Sequence, residues 1–175
     1  PCEGACNRAK LDEAVGIHAV ERFLARAAWQ HKWKPQVHAA ATGKRVLVVG
    51  AGPSGLSAAY HLTRLGHKVV IREAGPMAGG MMRFGIPKYR LPRDVLDYEI
   101  QRILDLGVDL ELNTKVEDIE AAFTEEGFDA VFVAVGAAVL VAVAVGCAVL
   151  VAVGCGVFVA VGAAVFVAVA VGNGV

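Results

Sequence analysis

No charged residue follows Asp129 in this 175-residue chain, and the charges before it cancel. Lys and Arg together number 17, and so do Asp and Glu. A balanced charge gives no reason to expect nucleic acid or an anionic membrane surface as a partner. The absence of charge after Asp129 divides the chain into a part of mixed composition and an apolar tail.

Motifs of several common enzyme classes are missing as well. The sequence has no P-loop and no nucleophile elbow. Its histidines lack the spacing of a metal site; they are His18, His31, His38, His61 and His67. Residues 1–10 contain no basic stretch leading into an apolar core, so we expect no secretory signal and a cytoplasmic location.

Cysteine is scarce, and its four copies fall into two pairs, Cys2 with Cys6 and Cys147 with Cys155. Without a secretory signal, a disulfide framework is disfavoured. We therefore expect the first pair to bind a metal or a cluster and the second pair to pack within the apolar tail.

The tail is a near-repeat of Val, Ala and Gly that begins at Val131. Its length would suit a membrane helix, but Val favours strands, Gly recurs in every unit, and no Lys, Arg, Trp or Tyr anchors the end. A membrane span is therefore disfavoured. Two interpretations of residues 138–175 stay open: a stack of short strands broken at Gly, or a low-complexity sequence that selection has not shaped.

The part before the tail divides into a helical segment and an alternating one. Residues 7–34 are predicted to be helical, because apolar residues such as Val20, Phe23 and Leu24 recur at three- and four-residue spacing. Residues 34–43 lack a clear period and are predicted to be a linker. Residues 1–42 thus form a predicted helical appendage to the domain of residues 43–137.

Strands and helices alternate in residues 43–137. Strands are predicted at 45–49, 68–72, 108–112 and 130–135, and helices at 54–65, 94–106 and 116–126. Strand, helix and strand within about 30 residues make a βαβ unit, and such units build parallel sheets that are buried on both faces. The predicted fold class is α/β, with a Rossmann-like parallel sheet between the helical segment and the low-complexity tail.

A glycine motif, GxGxxG, lies where the first strand meets the first helix of this domain. Gly50 allows the tight turn, Gly52 lets a pyrophosphate approach the backbone, and Gly55 lets the helix pack closely on the strand. Glu73, at the end of the next strand, is placed to accept hydrogen bonds from the ribose hydroxyls of adenosine. The negative charge of Glu73 also opposes a 2′-phosphate, and the side chain of Arg72 is expected in solvent. The motif therefore disfavours NADPH as the ligand of this unit. It does not distinguish FAD from NAD.

Three longer runs of sequence carry a resemblance to a known family, and the run at residues 79–92 is far more specific than the glycine motif. They are residues 43–100 around that motif, GGMMRFGIPKYRLP at 79–92, and DAVFVAVGA at 129–137. They resemble the FAD-binding region of the small subunit of glutamate synthase and its relatives, which include the N-terminal part of dihydropyrimidine dehydrogenase. The resemblance covers about residues 1–137. It implies an oxidoreductase that passes electrons from NADPH through FAD to iron–sulfur clusters.

The same resemblance implies the roles of individual residues. The FAD pyrophosphate would be wrapped by Gly50, Gly52, Pro53, Ser54 and Gly55, and the adenosine ribose would be held by Glu73. Toward the flavin, Gly80 and Met81 would lie along the cofactor, and Arg90 would contact a phosphate or the flavin. Val116 would contact the adenine end through its backbone.

The opening PCEGAC resembles the end of the iron–sulfur motif of the same family. A 4Fe–4S cluster is usually held by four thiolates, and this motif supplies Cys2 and Cys6. The family draws further ligands from outside this sequence. Glu21 matches a position that could supply a non-cysteine ligand, although an exposed helical glutamate is the simpler interpretation.

The NADPH-binding domain of the family would follow near residue 138, where this sequence has the tail instead. We therefore expect a fragment of an FAD-dependent, NAD(P)H-linked oxidoreductase, partnered by a larger catalytic subunit or an electron-acceptor protein. The alternative hypothesis is a non-catalytic or defective dinucleotide-binding module.

Overall fold

The computed structural model describes residues 2–136, 149–153 and 156–158. Contacts between residues divide the chain into two units, Pro1–Pro35 and Gln36–Val175. The apolar-tail cysteines, Cys147 and Cys155, lie outside the described residues. Among the described residues, no helix is both long and apolar enough to cross a membrane.

The first unit contains a short 3-10 helix, Asn7–Lys10, and one α-helix, α1, Ile17–Gln30. The continuous helix predicted over residues 7–34 is therefore wrong at residues 11–16 and 31–34. Gly16, a poor helix former, precedes α1, and the backbone N–H of Val15 donates a hydrogen bond to the Cys6 sulfur. Local bonding of this kind competes with helical hydrogen bonds.

The second unit is an α/β domain. Its strands are β1 (Arg45–Val49), β2 (Lys68–Arg72), β3 (Asp109–Glu111), β4 (Ala130–Val133), β5 (Val149–Val153) and β6 (Gly156–Phe158); its helices are α2 (Pro53–Arg64), α3 (Met81–Phe84), α4 (Arg93–Leu104) and α5 (Ile119–Thr124). The predicted first and second strands are confirmed residue for residue. The later elements are each shorter than predicted, and the sequence analysis missed α3.

The strand order across the sheet is β3-β2-β1-β4-β5-β6. Neighbouring strands from β3 to β5 are parallel, with Val49 opposite Arg72 on one side of β1 and opposite Val133 on the other. Strand β6 is antiparallel to β5. The Rossmann-like α/β fold class is confirmed, since helices connect the parallel strands from β1 to β4.

Helices cover both faces of the sheet, which explains why the strands are continuous apolar runs. On one face, α2 and α4 pack over strand residues including Val48, Ile71 and Phe132. On the other face, Ile119 of α5 and Phe128 pack with Leu47 and Val131. Alternate residues of β1, β2 and β4 thus fill two cores, and the carboxyl ends of these strands are fixed side by side at one edge.

Candidate dinucleotide-binding cleft

Two glycines of the GxGxxG motif are required by the packing of the protein itself. Gly50 has φ +105°, and a Cβ atom there would lie 2.5 Å from the carbonyl oxygen of Ala134. A Cβ atom at Gly55 would lie 1.9 Å from the carbonyl oxygen of Gly50. Both distances are far below van der Waals contact, so only glycine lets β1 turn into α2 in this way.

Gly52 differs, because nothing in the described structure requires it to be a glycine. Its backbone is extended (φ −77°, ψ −176°), and a Cβ atom there would meet no atom within 4 Å. Gly52 precedes α2, and no side chain caps that helix. The backbone at Gly52 is therefore open where the amino end of α2 favours negative charge.

A cleft of about 660 Å³ lies over this turn. It is lined at the turn by Gly50, Gly52, Pro53 and Ser54, at the strand ends by Val49, Arg72, Glu73, Ala74, Ala134, Val135 and Gly136, and elsewhere by Gly80, Met81, Phe84, Thr114, Lys115 and Val116. The structure thus brings together eight of the ten predicted cofactor-binding residues. The other two are Gly55, which is buried beneath the turn, and Arg90, which is exposed outside the lining.

The Glu73 carboxylate fixes the glycine turn as well as lining the cleft. Its Oε2 accepts the Ala51 N–H at 2.8 Å, and its Oε1 accepts the Gly75 N–H at 2.8 Å. The Ala51 carbonyl in turn accepts the N–H of Gly79 at 2.8 Å. Each carboxylate oxygen can accept a second hydrogen bond, so Glu73 retains the capacity to bind ribose hydroxyls.

The short helix α3 forms another wall of the cleft. It begins after Gly80, whose φ is +49° and whose Cβ, if present, would lie 2.9 Å from the Gly52 Cα atom. Met81 and Phe84 project from α3 with 70% and 65% of their surface exposed. Of the apolar residues of α3, the half-buried Met82 packs against the hydrophobic core, so apolar packing holds this wall at one residue.

Two arginines that the sequence analysis missed hold the α3 segment. Arg93 donates to the carbonyls of Met82, Arg83, Ile86 and Leu91, at distances between 2.5 and 3.2 Å. The buried Arg83 donates to the Ala78 carbonyl at 2.6 Å and to the Asp97 carboxylate. Two of these carbonyls, those of Met82 and Arg83, belong to α3 itself, which is too short to satisfy them by intrahelical bonds.

Arg72 is not in solvent, contrary to the sequence-based expectation. Its side chain is only 17% exposed, because it packs near the Phe128 ring and pairs with two carboxylates. Glu126 and Glu111 raise the pKa of Arg72 through these hydrogen bonds. The pairing depends on residues 39 and 54 positions away in sequence, which a local pattern does not specify.

In the first unit, Cys2 is exposed and Cys6 is half-buried, and neither forms a disulfide. The N–H of Val15, 3.5 Å from the Cys6 sulfur, lowers the pKa of that thiol together with the backbone of Arg8. An N–H donated to sulfur suits a thiolate ligand. Within the described part of the chain, however, no group of three or more His, Cys, Asp or Glu could hold a metal ion, so a complete cluster site is not assembled.

A family model described as an NAD(P)-binding Rossmann-like domain matches residues 48–113. This range contains the glycine turn, Glu73 and the α3 wall. The fold, the cleft and this match together define a Rossmann-like dinucleotide-binding domain.

Similar proteins narrow the class further. The chain is 42% identical to the NADP(+)-dependent formate dehydrogenase subunit beta of Moorella thermoacetica, over 78% of this chain and 22% of the relative. It is 37% identical to the glutamate synthase [NADPH] small chain of Bacillus subtilis, over 78% and 28%. It is 37% identical to the NAD-dependent dihydropyrimidine dehydrogenase subunit PreT of Salmonella typhimurium, over 77% and 33%.

The chain is therefore a homologue of the glutamate synthase small chain and related FAD- and NAD(P)-dependent oxidoreductase subunits, and the predicted resemblance is confirmed. It spans a third or less of the length of these relatives.

Proposed function

We propose that the cleft binds FAD, and that the chain is part of an oxidoreductase that passes electrons between NADPH, FAD and iron–sulfur clusters. The observation that carries the proposal is the open backbone of Gly52. The other two glycines of the motif are needed for packing, whereas a Cβ atom at Gly52 would meet no atom within 4 Å, and Gly52 lines the cleft. A pyrophosphate at this place would face the amino end of α2.

The lining of the cleft suits the two halves of FAD. Glu73 would hold the adenosine ribose, and the backbone of Val116 would contact the adenine. Gly50, Pro53 and Ser54 would surround the pyrophosphate, with Gly55 supporting the turn from below. On the α3 wall, Gly80 and the exposed Met81 would lie against the flavin, which supplies the hydride and single-electron chemistry when it is bound.

Arg90 and the two cysteines extend the proposal beyond the cleft. We place Arg90, which is exposed on the segment after α3, as a ligand of a phosphate or of the flavin. Cys2 and Cys6 would supply two of the thiolates of a 4Fe–4S cluster, with the other ligands coming from outside the described residues. The lowered pKa of Cys6 favours its thiolate form.

The names of these three relatives each contain the words subunit or small chain. We therefore place this chain with a larger catalytic subunit or an electron-acceptor protein, in the cytoplasm. The NADPH of the overall reaction would bind elsewhere than in the described cleft, since Glu73 opposes a 2′-phosphate there.

The experiment is to purify the chain, denature it and record the absorption and fluorescence of what is released. We expect FAD in near-stoichiometric amount. Absence of flavin, even after incubation of the native chain with FAD, would contradict the proposal. If FAD is bound but NADPH does not reduce it, the chain alone acts as a nucleotide-binding module without turnover.

A glycine-specific variant tests the position of the cofactor. Gly52→Val should abolish FAD binding, because the side chain would occupy the place of the pyrophosphate. The fold should survive, since the φ and ψ angles of Gly52 lie in the extended region, which any residue can adopt. Thermal unfolding of the apo protein provides the control. A variant that kept the parental affinity for FAD would show that the cofactor does not approach Gly52.

A further inference from the structure

Arg72 and Glu73 stand next to each other at the end of β2, and both line the cleft. In this position an acidic residue selects an unmodified ribose, whereas a nearby arginine accommodates a ribose 2′-phosphate. Glu73 and Arg72 therefore favour different ligands at one place, an unmodified ribose and a ribose 2′-phosphate. The selectivity of the chain depends on what each side chain contacts.

The guanidinium of Arg72 donates to carboxylates of the protein itself, and these contacts hold it away from a ligand in the cleft. Its two terminal nitrogens, Nη1 and Nη2, donate to the two carboxylate oxygens of Glu126 at 2.7 and 2.5 Å. Its Nε donates to Glu111 at 2.7 Å. Three of the five N–H groups of the guanidinium thus donate to carboxylates, and charge-assisted hydrogen bonds of this kind are strong.

The position of this network is set by the fold. Glu111 is opposite Arg72 in the parallel pairing of β3 with β2. Glu126 lies just beyond α5, where its carbonyl also accepts a hydrogen bond from Arg45 at 2.8 Å. Both arginines contact the Phe128 ring, whose centroid is 4.5 Å from the Arg45 guanidinium carbon and 5.8 Å from that of Arg72. Arg72 therefore meets partners whose backbones are already fixed, which limits the entropy lost on pairing.

We propose that Glu126 and Glu111 are specificity-determining residues, which hold Arg72 away from the ribose so that the cleft selects dinucleotides without a 2′-phosphate. The inference rests on the proposed dinucleotide-binding function and adds residues outside the cleft lining to the site. It also explains how an arginine beside the ribose position can coexist with selection by Glu73.

The test measures discrimination between two probes, ADP-ribose and ADP-ribose 2′-phosphate, by calorimetric titration of the flavin-free full chain. The parent should prefer the unmodified probe. Glu126→Gln removes the charge and the bidentate pairing, so Arg72 becomes available to the phosphate. The preference should fall by about tenfold, the effect of one hydrogen bond to a charged group. Glu126→Gln combined with Glu111→Gln should reduce it further.

Two matched controls separate this role from general effects of charge and folding. Glu125→Gln makes the same change in charge at the adjacent exposed residue and should leave the discrimination within about twofold of the parent. In an Arg72→Met background, Glu126→Gln should have no effect on the discrimination, because the group it releases is absent. Lys115, the other cation of the lining, is unchanged in every variant.

The outcomes distinguish this inference from the proposed function. If neither FAD nor ADP-ribose binds the parent chain, both are overturned. If both bind but Glu126→Gln leaves the discrimination unchanged, the inference alone is overturned. The same holds if Glu126→Gln acts equally strongly in the Arg72→Met background.

Discussion

Two walls of the cleft are built in different ways. The sheet wall, formed by the turn after β1 and the end of β2, has buried strands below it and two glycines, Gly50 and Gly55, whose neighbours leave no space for a side chain. The α3 wall, Gly80 and Met81–Phe84, is a four-residue helix with exposed apolar side chains, held by Arg83 and Arg93. The sheet wall is fixed by packing, and the α3 wall is fixed by bonds from side chains to backbone.

The difference predicts where substitutions change the whole fold and where they change only the site. Packing in the sheet wall is shared with the hydrophobic core, so its loss unfolds the domain. The α3 wall contributes few apolar contacts, and its opening can occur locally while the sheet stays intact. At each wall an arginine makes contacts that sequence patterns did not reveal: Arg72 pairs with carboxylates, and Arg93, at the start of α4, donates to carbonyls of the α3 segment.

The largest expected effect is that of Gly55→Ala in the sheet wall. The new Cβ atom would lie 1.9 Å from the Gly50 carbonyl oxygen, and the backbone would have to shift. We expect a loss of about 3 kcal/mol or more in the free energy of unfolding, measured by urea denaturation. Gly52→Ala, whose Cβ atom meets nothing within 4 Å, is the matched control. Equal stability of the two variants would show that helix α2 does not pack as closely as described.

Arg93→Ala should break the α3 wall without unfolding the sheet. Four carbonyls lose their donor, at a local cost of about 1–3 kcal/mol. We expect weaker FAD binding and faster protease cleavage between residues 81 and 91, with little change in the global unfolding transition. Lys88→Ala, which removes an exposed cation of the same segment, should change neither. A global loss of stability equal to that of Gly55→Ala would remove the distinction between the walls.

How well sequence patterns predict a feature of either wall depends on how far apart in sequence the contacting residues lie. Strands β1 and β2 were predicted residue for residue because their apolar runs end at glycine, turn or charged residues. The glycine turn was predictable because its motif is a short local sequence, although the atom that excludes a side chain at Gly50 belongs to the distant Ala134. Helix α3 was not, since four residues are too few to show a helical period. The carbonyls that Arg93 contacts come together only in the folded segment, and the partners of Arg72 are distant in sequence.

A smaller effect is expected for Arg90→Ala, which tests the proposed role of an exposed residue next to the α3 wall. Arg90 is exposed, so the thermal unfolding of the apo protein should not change. If Arg90 binds a phosphate or the flavin as proposed, the dissociation constant of FAD should rise about tenfold, as for the loss of one charged hydrogen bond. An unchanged dissociation constant would remove Arg90 from the site and leave the α3 wall to Gly80, Met81 and Phe84.

The smallest effect is expected at the opposite edge of the sheet, where Asp129 precedes β4. Its carboxylate accepts hydrogen bonds from the Lys44 ammonium at 2.7 Å and the Arg45 N–H at 2.8 Å. The Lys44 contact and the Arg45 N–H lower the pKa of Asp129 below its ordinary value of 3.8.

A carboxylate whose pKa is lowered by folding stabilises the fold at pH values above its unfolded-state pKa, and this contribution is lost as the pH falls through the lowered pKa. Asp129→Asn should therefore decrease Tm slightly at about pH 7, and the difference from the parent should vanish in acid. Because the cleft is at the other edge, FAD affinity should be unchanged; a weaker affinity would show that the sheet wall depends on both ends of its strands.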